Sequence, residues 1–133
     1  MSRISNRSVP ESSVIPELPY PDVREAVDWL SRAFGFKERL QIGDHRAQLV
    51  FENGAVIAIQ GDAPGSTLLV RVEDADAHHA QAAGAGAKIL SEPADYPYGE
   101  RQYSAVDPAG HRWTFSQSIA DVDPVEWGGT LKE

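Results

Sequence analysis

The groups in this chain that could do chemistry are few and scattered. Four histidines are present: His45 opens an apolar run, His111 follows a turn glycine, and His78 and His79 are neighbours. An unperturbed imidazole titrates near neutrality, so His45 and His111 are candidates for a neutral base or a hydrogen-bonding group, although turn stabilisation is the stronger reading for His111. His78 and His79 lie on helical sequence, where adjacent side chains diverge by about 100°; they cannot converge on one ion and read as a solvated helix face. Glu17 is a second candidate base, at the start of an extended segment. In "YPYGER", residues 96–101, Gly99 between Tyr98 and Arg101 would let the loop fold over a ligand with Arg101 meeting an anionic group, or else Arg101 pairs with a surface acid. No Gly-rich phosphate loop, Ser-His-Asp order or paired-carboxylate spacing stands out.

Composition narrows the classes. With no cysteine, neither a disulfide framework nor a thiolate metal site can form, and a cytoplasmic location is expected. The net charge of −8 repels phosphate backbones and no basic cluster interrupts it, so nucleic acid is not an expected partner. No apolar run approaches the roughly 20 residues of a membrane span. Residues 1–13 lack the apolar core of a secretory signal and read as a flexible arm.

The elements that must position these groups come from a repeat. In "VIPELPYPDVREAVDWLSRAFGFK", an extended segment is followed by Asp22 as N-cap, with Glu25 three residues on. Val23, Ala26, Val27, Leu30, Ala33 and Phe34 then keep helical spacing, and Gly35 ends the run. "STLLVRVEDADAHHAQAAGAGAKIL" repeats the plan around Asp74, 52 positions later, with Gly84 and Gly86 as stop signals. Three strand candidates follow each helix: 37–42, 45–51 and 55–60, then 87–92, 102–106 and 112–117, with "PADYPYGER" as a longer loop. Setting "NGAVIAI" against "AGHRWTF", glycine on glycine at a spacing of 56, pairs Ala58 with Thr114.

The predicted fold is therefore α+β, two tandem βαβββ modules in residues 14–117 (about 14–62 and 66–117), with a C-terminal tail over 118–133. Each sheet would cover one face with its helix and leave the other open, and the two open faces would enclose a cavity. Strand parity places Ile15, Glu17, Gln48, Ala58, Gln60, Thr67, Leu69, Arg71, Ser104, Thr114 and Ser116 on it. Apolar area with a few polar groups suits a small organic ligand.

The stretches "IPELPYPDVREAVDWLSRAFGFK", "VEDADAHHAQAAGAGAKI" and "DPAGHRWTFSQ" together resemble the vicinal oxygen chelate superfamily, the glyoxalase, bleomycin-resistance and extradiol-dioxygenase group. The resemblance implies paired modules, a homodimer, and in metal-dependent members four inward His or Glu ligands from the first and last strand of each module. Those positions fall on Ile15, Ala58, Thr67 and Thr114. Isoleucine and alanine cannot ligate, and threonine hydroxyls are poor ligands alone, so no metal and no other cofactor is expected.

The expected function is metal-independent binding of a small, aromatic or cationic organic compound, through Glu17, Gln48, Gln60, Thr67, Arg71, Tyr98, Arg101, Ser104 and Thr114. The alternative is a cofactorless or unusually ligated isomerase or lyase using His45 or Glu17 as base; a dimeric scaffold is a third possibility.

Overall fold

The structure, a computed structural model, describes residues 6–62 and 65–132. The chain separates into two compact units, residues 1–64 and 65–133. The first contains β1 (Glu17–Tyr20), α1 (Val23–Phe34), β2 (Lys37–Ile42), β3 (Arg46–Phe51) and β4 (Gly54–Gln60). The second contains β5 (Thr67–Arg71), α2 (Ala75–Gly84), β6 (Lys88–Tyr96), β7 (Glu100–Val106) and β8 (Arg112–Ser118), then a short 3-10 helix, Pro124–Trp127. The sheet orders are β1-β4-β3-β2 and β5-β8-β7-β6, with the first pair of each parallel and the rest antiparallel. This is the α+β double βαβββ plan.

Local chemistry sets the helix ends. Asp22 and Asp74 each accept a hydrogen bond from a backbone N–H three residues on, Glu25 and Ala77, at 3.0 Å. Each satisfies one of the donors that a helix start leaves unpaired. Gly35 closes α1 in the left-handed region at φ 81°, where a side chain would be strained.

The two cores solve the same packing problem in opposite ways. Large helical residues of α1, Leu30 and Phe34 among them, are buried in the first unit, whose sheet offers small Ala47 and Ala58 beside Leu18 and Leu49. Phe36, just past the helix, packs on Phe51 of this same face. In the second unit α2 offers small Ala75 and Ala82, while the strands supply Tyr103, Trp113 and Phe115, stacked in parallel. Either way large meets small, as interior packing density requires. Each of these fully buried large side chains contributes about 1.5–3 kcal/mol relative to an exposed one.

Three sequence expectations are corrected. "PADYPYGER" is not a loop: β6 runs to Tyr96, which pairs with Glu100 of β7 around a three-residue turn. His78 and His79 are not a solvated face, because His78 bonds to the Tyr103 hydroxyl and packs against Phe115 in a tilted arrangement with ring centroids 4.1 Å apart. His79 meets Tyr103 edge-on, its Nε2 2.8 Å from Glu92 Oε2. The repeat spacing on the last strand also changes. Leu18, four before the Asp22 cap, pairs with Ala58, and Val70, four before Asp74, pairs with Phe115. Ala58 is therefore the counterpart of Phe115 and lies fully buried on the helix side; Ile57 is the counterpart of Thr114.

Candidate binding site

In the second unit, the sheet face turned away from α2 carries Thr67, Leu69 and Arg71 on β5, Thr114, Ser116 and Ser118 on β8, and Glu100, Gln102 and Ser104 on β7. Pairing across the strands puts them side by side: Leu69 with Thr114, Arg71 with Ser116, Ser104 with Thr114, Gln102 with Ser116, and Glu100 with Ser118. Leu69 is 66% exposed, an apolar side chain in a polar surround.

Glu100 is the sink of a directional hydrogen-bond network. Its Oε1 accepts from Ser116 Oγ and its Oε2 from Ser118 Oγ, both at 2.6 Å. Behind Ser116, Gln102 Nε2 donates to Ser116 Oγ at 3.0 Å and the Tyr98 hydroxyl donates to Gln102 Oε1 at 3.2 Å. Behind Ser118 stands Arg71, whose Nη2 donates at 3.1 Å. Every proton in both chains points toward the carboxylate. Burial alone would raise the Glu100 pKa, but the two hydroxyls and the Arg71 charge outweigh it and hold the group below the ordinary glutamate range. The result is a fixed anion with lone pairs left over, and a weak proton acceptor at neutral pH. Ser104 and Thr114 share a separate hydrogen bond of 2.8 Å.

An aromatic edge adjoins this face. Tyr96 shares the Glu100 side of the sheet through its strand pairing and stacks on Tyr98 with centroids 5.6 Å apart. Trp127 of the 3-10 helix meets Tyr98 edge-on at 5.6 Å. Gly99 makes this possible, because its carbonyl accepts from the backbone N–H of Ile119 and Ala120 and draws the C-terminal segment against the turn.

In the first unit the corresponding face carries Glu17, Arg46, Gln48 and Ile57. Glu17 forms a 2.9 Å ion pair with Arg46. Gln48 is 4% exposed: its Oε1 accepts from Arg39 Nη1 and its Nε2 donates to the Ser8 carbonyl at 2.8 Å.

Of the residues singled out from sequence, Thr67, Arg71, Ser104 and Thr114 come together on one open face, and Tyr98 reaches it through Gln102. Glu17 and Gln48 share the open face of the other unit. Gln60 pairs with Tyr20 on the other parity and donates to the Pro21 carbonyl. Arg101 sits on the α2 side, bonded to Asp76 and Asp95, the surface pairing that was the competing expectation. His45 is exposed in the β2–β3 turn, and His111 is fully buried with Nδ1 accepting from the Ser66 N–H at 2.9 Å. Sequence reasoning missed Glu100, Gln102 and Ser118. The signal for them was the "PYG" turn between Tyr96 and Glu100, which closes a hairpin and extends the alternation of β7.

The donor set can be tested against the metal that the resemblance implies for some relatives. With Ile57 replacing Ala58, the four positions hold Ile15, Ile57, Thr67 and Thr114. Two aliphatic chains and two hydroxyls do not fit a divalent ion. Among the described residues no three His, Asp or Glu side chains gather elsewhere in a metal-holding group.

A family model described as the Glyoxalase/Bleomycin resistance protein/Dioxygenase superfamily matches residues 14–115. Among solved structures, TioX from Micromonospora sp. ML1 is similar at TM-score 0.74 and 34% identity, over 81% of this chain and 99% of that one. A glyoxalase/bleomycin resistance protein from Streptomyces sp. CB03234 matches at TM-score 0.65 and 24% identity, over 77% of this chain and 97% of its own, a likeness of fold alone. An uncharacterised protein of Mycobacterium bovis is 25% identical over 133 residues, 85% of this chain and 88% of the relative.

Proposed function

The chain belongs to the glyoxalase/bleomycin resistance protein/dioxygenase superfamily, and from that premise we propose that it is a metal-independent small-molecule binding protein for an aromatic, cationic compound. The observation that carries this reading is Glu100, a carboxylate kept ionised by Ser116, Ser118 and Arg71 on an open sheet face. A permanent anion recognises an ammonium or amidinium group, and holding it ionised in advance lowers the cost of binding. Leu69 and the Tyr96–Tyr98 edge supply apolar and aromatic surface for the rest of the ligand, while Thr67, Arg71, Ser104 and Thr114 supply hydrogen bonds that fix its orientation.

The same features disfavour general-base catalysis by a carboxylate. A carboxylate with a depressed pKa is a poor general base, and Glu17, the other carboxylate candidate, is engaged by Arg46. A homodimer is part of the proposal, with neither nucleic acid nor a membrane as partner.

The test is a thermal-shift screen of aromatic amines against their neutral isosteres, since a ligand that binds only the folded chain raises its melting temperature. Cationic members should stabilise the wild type and lose that effect in Glu100→Gln. Equal stabilisation of both proteins, or by the neutral isosteres, would overturn the reading.

A further inference from the structure

We propose that Arg71 and Glu100 together form a zwitterion-reading site, and that the ligand class it takes is an aromatic α-amino acid, or a derivative with both its ammonium and its carboxylate free. The inference rests on the reading of Glu100 as an ammonium-binding anion and adds a second charge to it. A single hydroxyl stands between the two groups: Ser118 Oγ donates to Glu100 Oε2 at 2.6 Å and accepts from Arg71 Nη2 at 3.1 Å. Ser116, the strand partner of Arg71, holds the other carboxylate oxygen. The opposite charges are thus fixed side by side on the open face without closing on each other.

Two observations point to a ligand that carries both charges. Arg71 is exposed and forms no ion pair among the described residues, although acids outnumber Lys and Arg 20 to 12. Arg24, Arg46 and Arg101 each close directly on a carboxylate, at 2.8, 2.9 and 3.0 Å. Arg71 commits Nη2 to Ser118, and the edge formed by Nε and Nη1 remains for a carboxylate, which a guanidinium can meet with two parallel bonds. Apolar surface flanks the pair: exposed Leu69 lies two residues before Arg71 on the same face of β5, and exposed Tyr96 is the strand partner of Glu100. An ammonium and a carboxylate borne on one carbon can engage Glu100 and Arg71 together while the aromatic side chain lies on that surface. The overall charge of −8 opposes any incoming carboxylate, so accepting one requires a local cation.

The experiment titrates the full chain by calorimetry at about pH 6, where α-amino groups are charged, with L-phenylalanine, L-tyrosine and L-tryptophan and with their carboxamides. The amides keep the ammonium and the ring and lack the carboxylate. The acids should bind about fivefold more tightly than the amides, the size expected of one exposed charge-assisted contact. Arg71→Gln should abolish that difference, and Arg71→Lys, which keeps the charge without the fork, should retain part of it. Structural damage alone would weaken both series together and leave their ratio unmoved. Glu100→Gln should weaken both. Acids that bind no tighter than amides to the wild type, or a ratio unchanged in Arg71→Gln, overturn the proposal. Amide binding that still depends on Glu100 would then leave the ammonium reading standing, whereas binding that is absent in both series, or indifferent to Glu100→Gln, overturns both.

Discussion

Ser116 gives its hydroxyl proton to Glu100, oxygen to oxygen 2.6 Å, while accepting the Gln102 amide at 3.0 Å. The serine is thereby committed as a donor, and Glu100 is stabilised as an anion. Because the folded pKa is depressed, this contribution is present above the unfolded glutamate value, near pH 4.3, and is lost as pH falls through the folded value. Glu100→Gln should therefore lower stability by about 1–2 kcal/mol at neutral pH. The gap to wild type should close in acid below that range. Thermal denaturation of both proteins across pH checks this; a gap that widens in acid contradicts it.

Chelation should leave the protein as it was. The four positions in question hold Ile15, Ile57, Thr67 and Thr114, which supply no imidazole or carboxylate. After exhaustive EDTA treatment, the melting temperature and any ligand response should match those of untreated protein, with elemental analysis finding no stoichiometric transition metal. One tightly held ion per subunit whose removal lowers the melting temperature would refute it.

Asp107 is the keystone of the β7–β8 turn. Its Oδ1 accepts from the backbone N–H of Ala109 and His111 at 3.1 and 3.0 Å, and its Oδ2 accepts from the indole of fully buried Trp113 at 3.0 Å. Asp107→Ala would strand the indole N–H in the core and open the turn, a loss of about 3 kcal/mol. Asp107→Asn, which keeps one acceptor oxygen, should cost less. Urea unfolding ranks the three proteins, and an unchanged midpoint for Asp107→Ala would sink the assignment.

Asp22, Asp74 and Gly35 were readable from sequence because a helix end is decided within a few residues. So was the double module, since its caps, helices and strands recur in order. The one-residue slip at Ala58 has a physical cause. The β3–β4 turn has two residues between Phe51 and Gly54, while the β7–β8 turn has five between Val106 and Arg112. Gly54 and Gly110 are therefore not equivalent, and aligning them reverses the parity of the strand. Glu100 was hidden because a turn rich in Pro, Tyr and Gly reads as a loop unless its flanks are paired. The contact of Gln48 with the arm joins residues 40 positions apart and leaves no local pattern.

Gly99 is the position where backbone conformation and close approach coincide. Its φ is +84°, and a Cβ there would lie 2.4 Å from the Ala120 carbonyl oxygen. Gly99→Ala must therefore adopt a left-handed conformation and push the C-terminal segment off the turn, a strain of about 1–3 kcal/mol. The bonds from Ile119 and Ala120 to the Gly99 carbonyl would weaken, and Trp127 would lose its edge-on contact with Tyr98. The expected outcome is a lower melting temperature with faster proteolysis of residues 119–132, while β8 keeps its pairing up to Ser118. Amide hydrogen exchange separates the two parts: protection should fall over the tail and persist at Trp113 and Phe115. A variant whose tail stays as protected as that of the wild type would mean that the turn relaxes around the methyl group and that the contact with Ala120 does not hold the tail.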